Sequence, residues 1–151
     1  MTLELFRSDQ NDSNSLYEWI LLSKPEALTF LRTKLGTNPE QHEAFDKYTQ
    51  KDVLINKGRI SLVQVSSARP SYINALIIQS RGIEVPEGCT NSMQGVFVQT
   101  IRLPGYFGGC CGNCKWKDHG TRCSVRSPGE AKHVILAELD FPRIEEVEDE
   151  E

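Results

Sequence analysis

Apolar positions in the first third of the chain recur at helical spacing. Leu16, Trp19 and Ile20 share one helical face behind the polar cluster Ser13, Asn14 and Ser15, which predicts a helix there. Ser23 followed by Pro25 and Glu26 predicts a second start, because proline fits the first turn and a carboxylate suits the positive end of a helix. Ala27, Phe30, Leu31 and Leu35 then hold the i, i+3, i+4 spacing until Gly36, the predicted stop. Asn38-Pro39-Glu40 opens another helix, with Ala44, Phe45 and Tyr48 on its apolar face. These stripes read as packing faces rather than binding boxes.

Beyond residue 52 the period shortens. Residues 52–55, a turn at Asn56-Lys57-Gly58, and residues 59–65 predict a short hairpin. Residues 72–79, dominated by Ile73, Leu76, Ile77 and Ile78, predict a further strand after the break at Ala68-Arg69-Pro70. Residues 95–103 alternate as a half-buried strand that Pro104-Gly105 ends. A last apolar run, residues 133–139, is placed to close the sheet before Pro142. No repeat at solenoid periods is visible. The expectation is an α+β protein: a helical N-terminal segment over 1–52, a cysteine-rich α+β domain over 53–141 with a small antiparallel sheet, and a disordered acidic tail over 142–151.

Composition adds two facts. The chain has 151 residues, 38% of them apolar, enough for one core but a thin one. Its five cysteines, Cys89, Cys110, Cys111, Cys114 and Cys123, all lie in the C-terminal half. An odd number cannot close entirely into intramolecular disulfides. The start, MTLELFRSDQNDS, turns polar after six residues and carries no apolar signal core, and no run approaches a membrane span of about 18 apolar residues. The expectation is therefore an intracellular protein, nuclear or cytoplasmic and not secreted, with no membrane partner. In such a reducing compartment clustered cysteines point to metal more than to disulfides.

Cys111 and Cys114 form a C-x2-C pair around Gly112, a spacing that aims two thiolates at one ion while the glycine eases the bend. Cys123 follows after eight residues, and Cys89 lies upstream. Four thiolates make a closed tetrahedral site, which suits one structural zinc with no open position for chemistry. His119 is the substitute ligand if Cys89 cannot reach, and Cys110 is the odd thiol, because vicinal cysteines do not both fit one tetrahedral ion. Buried free thiols and disulfides are the competing readings.

Charge reads differently once divided. The formal net of -4 does not advertise a nucleic-acid binder. Residues 138–151, however, hold eight acidic side chains against Arg143, a local -7, which leaves +3 on residues 1–137. Lys115, Trp116, Lys117, Arg122 and Arg126 flank the proposed ligands and mix cations with an aromatic ring able to stack on a base.

Cys111-Gly-Asn-Cys114, Arg122-Cys123-Ser124, and upstream Arg81-Gly82, Pro86, Cys89-Thr90-Asn91 and Gly95-Val96-Phe97 together resemble a cysteine-rich, zinc-finger-like domain of unknown function from filamentous fungi. The resemblance spans about residues 69–126. The family pattern is a C-T-x-C pair, a G-P-F turn, a third cysteine, then C-x-N-C and C-S. This chain departs from it at Ser92, Thr100 and Val96. The family positions that remain cysteine are Cys89, Cys111, Cys114 and Cys123, which either suffice for one zinc or mark a site that has lost its metal.

The resemblance implies a fungal regulatory or accessory protein. The reading preferred here is non-enzymatic: an adaptor whose structural zinc supports contacts with a protein partner. The first alternative is a nucleic-acid or chromatin module that uses the basic stretch 115–126. The second is a thiol enzyme with Cys110 as nucleophile and His119 or His133 as base. No nucleophile elbow, phosphate-cradling loop or metalloprotease pattern accompanies it.

Overall fold

Tyr17–Ile20 is a strand (β2), not the helix its spacing predicts. The computed structural model describes residues 5–9, 15–48, 50–90, 95–127 and 129–132. In it, β2 is the middle of a three-stranded antiparallel sheet, between β1 (Phe6–Ser8) and β3 (Val53–Asn56). A helix would have to bury Leu16 together with Trp19 and Ile20, yet Leu16 is 75% exposed and Ile20 fully buried. Pairing on both sides decides the matter: Ile20 lies opposite Phe6 in β1 and Val53 in β3. Trp19 fixes its indole by donating from Nε1 to Asp9 at 2.9 Å.

The next two helices form where proline and its neighbours predict. Helix α1 is Pro25–Arg32, and Thr33 caps it well short of Gly36. The Gly36 N–H instead donates to Gln41 Oε1 at 2.7 Å, inside the turn that leads to α2 (Pro39–Lys47). Asn38 caps α2 by accepting the Glu40 N–H at 2.8 Å.

After β3 the predicted second hairpin strand is a helix. Ser61 and Gln64 form a reciprocal capping box that opens α3 (Leu62–Ser66). Residues predicted as a strand over 72–79 belong to α4 (Pro70–Arg81). Its apolar run mimics a buried strand because the helix is enclosed on nearly every side, against α2, α3, β3, a strand β5 (Ile101–Arg102) and a short helix α5 (Gly112–Trp116). The strand predicted over 95–103 shrinks to β5, paired with β4 (Ile83–Glu84), and one isolated bridge from Phe97 to Ile55. Residues 133–139 and the acidic segment 142–151 lie outside the described residues.

The architecture is α+β, with helices and small antiparallel sheets. The N-terminal part is not purely helical, since β1 and β2 belong to it. One buried cluster runs from Leu5 through the α4 side chains to Cys123, so the cysteine region and the N-terminal sheet share a core.

Candidate metal centre

Cys89, Cys111, Cys114 and Cys123 come from four different places in the chain and meet at one point. Cys89 ends the turn after β4, Cys111 precedes α5, Cys114 sits within it, and Cys123 follows a 3-10 turn at Gly120–Arg122. All four are buried, none is in a disulfide, and their sulfurs all lie within 4.8 Å of one another. Cys89 Sγ is 3.6 Å from Cys114 Sγ and 3.7 Å from Cys123 Sγ. Sulfurs at the corners of a tetrahedron with metal–sulfur bonds of about 2.3 Å stand about 3.8 Å apart. A disulfide would need about 2.05 Å. The cluster can therefore hold one metal ion.

Backbone amides point at the sulfurs. The Cys111 N–H donates to Cys123 Sγ at 3.2 Å, and the Ser124 N–H donates to Cys89 Sγ at 3.4 Å. The Ser124 hydroxyl in turn accepts the Thr90 N–H at 2.9 Å, tying the two loops together. The thiols are not electrostatically equal. Hydrogen bonding from the Cys111 thiol and backbone pulls the Cys123 thiol below its ordinary value against the effect of burial. Burial chiefly pushes the Cys114 thiol up, with the Cys89 contact adding to it. One sulfur of the set is thus favoured as thiolate before any metal arrives.

Asn113, between the two C-x2-C cysteines, anchors the centre. Its amide accepts the Phe97 N–H at 2.8 Å and donates back to the Phe97 carbonyl at 3.1 Å, with the side chain itself buried. The segment 95–98 is held against α5 by this pair of bonds. Gly95 is required there, because a Cβ would overlap the Asn113 carboxamide. Gly112 is needed for space rather than for a bend: it lies inside α5, and a Cβ would overlap the Gln79 side chain of α4.

The remaining candidate residues fall outside the cluster. His119 is exposed and not among the converging ligand atoms. Cys110 is buried, donates its S–H to the Phe107 carbonyl at 3.4 Å, and is pushed up by burial. Lys117, Arg122 and Arg126 are exposed and Lys115 is half-buried, its Nζ lying over the Phe107 ring. Trp116 corrects the reading of it as an open stacking ring. It is only 6% exposed, stacked on Tyr72 at 4.0 Å and met edge-on by Phe97, because the ring is what fastens α5 to α4. His133 lies outside the described residues.

Sequence reasoning missed Asn113 and the acidic face of α2. Glu40 accepts the Phe107 N–H at 2.7 Å, and Glu43 accepts the Tyr106 hydroxyl at 2.6 Å, which fixes the turn leading into the cysteines. Its place between the two cysteines of the C-x2-C pair was the available signal for the first. Nothing in the local pattern marks the second, since contacts 63 and 67 residues apart leave no trace in a periodicity.

Fold and site together define a small α+β protein built around a buried four-cysteine cluster. The family model described as "Protein of unknown function (DUF3716)" matches residues 75–126, which span the second half of α4, all five cysteines and α5. No curated protein and no solved structure matches the chain. Among the described residues, no helix is long and apolar enough to cross a membrane.

Proposed function

We propose that the chain is a non-enzymatic regulatory or adaptor protein whose four clustered cysteines hold one structural zinc ion. The observation that carries this reading is the sulfur spacing, 3.6 and 3.7 Å against the tetrahedral edge of about 3.8 Å. A four-thiolate site is coordinatively closed, which suits a structural role, and the buried, protonated Cys110 supports the non-enzymatic reading. Exposed Leu16, Leu62 and Val63 offer apolar side chains for contact with a protein partner. Free thiols in this number suit a reducing compartment, the cytoplasm or nucleus of a fungal cell. Native mass spectrometry of protein purified without added chelator tests the metal: one zinc per chain is expected. A metal-free chain that takes up no zinc on titration would remove the proposal.

A nucleic-acid module is the second reading, and the exposed cations Lys117, Arg122 and Arg126 beside the centre favour it. Without a free ring at Trp116, binding would rest on phosphate contacts alone and weaken steeply with salt. A labelled single-stranded oligonucleotide that shows no shift at low ionic strength would remove this alternative.

A further inference from the structure

Arg81, the last residue of α4, is almost completely buried. Its Nε–H donates to the Phe45 carbonyl at 3.1 Å and Nη1 donates to the Ser80 hydroxyl at 2.7 Å, both neutral acceptors. Its guanidinium lies 4.5 Å from the centre of the Phe45 ring. No carboxylate among the described residues pairs with it. The nearby Asp46 is engaged at 3.0 Å by Arg32, whose own guanidinium lies 4.8 Å from the Phe45 ring centre. Burial pushes the Arg81 guanidinium down to about 10, so the group still carries its charge at neutral pH.

Asp46 favours the charged form of Arg81 but makes no ion pair with it, so burying the guanidinium remains costly. Capping the end of α2 through the Phe45 carbonyl accounts for Nε. It does not account for Nη2, which has no partner among the described residues, or for the space around it. Arg81 lines a cavity of about 300 Å³ between α1, α2 and the end of α4, shared with Arg32, Phe45, Asp46, Tyr48 and Gln50. Gln50 has a buried Oε1 with no hydrogen-bond partner among the described residues. The charged side chains on the wall, Arg32 and Arg81 against Asp46, leave a surplus of one positive charge.

We propose that this cavity binds a small carboxylate. The planar guanidinium matches a carboxylate, and the surplus matches a single negative charge better than a phosphate dianion. The volume lies at the lower end of the range for small-molecule sites, about 300–1,000 Å³.

The test is an NMR titration of the metal-loaded protein with N-acetylglycine, following the Arg81 Nε–H and Gln50 side-chain resonances. Saturable shifts are expected, at least about tenfold weaker with the neutral N-acetylglycinamide. Absence of a saturable shift where a site of about 1 mM affinity would be filled overturns the proposal. So does an equal response to the neutral amide, or tighter binding of inorganic phosphate, which would make the site a general anion pocket.

Discussion

Removing the Asn113 carboxamide would strand two backbone groups at once, the Phe97 N–H and C=O, in a buried setting. Each unsatisfied buried group costs about 1–3 kcal/mol, so Asn113→Ala is expected to destabilise the protein by about 2–4 kcal/mol in urea unfolding. Asn113→Asp should be no rescue, since a carboxylate cannot donate to the Phe97 carbonyl. The cysteines divide differently. Cys114→Ser is expected to abolish stoichiometric zinc, whereas Cys110→Ser should retain one ion per chain by mass spectrometry, because Cys110 Sγ is turned to the Phe107 carbonyl. Zinc retained by the first variant, or lost by the second, would redraw the ligand set. At this scale the sequence was informative where chemistry has a spacing rule. Cys111 and Cys114 announce themselves with two residues between them, while Asn113 looks like any turn asparagine until the segment it holds is seen.

Elements were legible where a cap or a proline fixed them and illegible where burial overrode periodicity. Pro25 and Asn38-Pro39 mark α1 and α2 because they act on the backbone next to them. The α4 helix was hidden because its all-round burial erases the polar face that betrays an amphipathic helix. The β2 strand was hidden because its partners lie 10 or more residues away, outside any local window. The α3 helix carried a readable signal in Ser61-x-x-Gln64, and Ser61→Ala should cost about 1 kcal/mol in thermal or urea unfolding. The α2 helix has a pH signature. Hydrogen bonds from Lys132 and then Tyr106 hold the Glu43 carboxyl below its ordinary value of 4.5. A lowered folded-state value contributes stability above 4.5 that disappears as pH falls through the lowered value. Wild type and Glu43→Gln should therefore differ at neutral pH and converge in acid, as urea melts at stepped pH would show. Curves that stay parallel into acid would mean that the Glu43 carboxylate contributes nothing.

Across the whole molecule, the shared core decides what removal of the proposed zinc would do. A cysteine-rich half with its own core would melt alone and leave the N-terminal sheet standing. Here α4 is buried from Ala75 to Arg81 and packs on α2, β3 and α5, so loss of the centre is transmitted directly to the N-terminal elements. Structural zinc contributes about 10–16 kcal/mol of apparent binding free energy in small domains, as large as the whole stability of an ordinary domain, about 5–15 kcal/mol. Chelation is therefore expected to lower the midpoint of a single transition, with amide protection lost together in β2 and α5 when followed by hydrogen exchange. Protection lost in α5 but kept in β2 would show that the two regions are thermodynamically separate after all. The same centre predicts a proton count. Thiolates bind the metal, so every thiol still protonated must release its proton, and affinity must fall as pH falls. Cys123 is held towards its thiolate by the Cys111 hydrogen bonds while burial keeps Cys114 protonated. Zinc titrations in buffers of different ionisation enthalpy should consequently report fewer protons released per ion than there are sulfur ligands. A full proton for every sulfur would mean that the hydrogen bonds to Cys123 do not prepare the site.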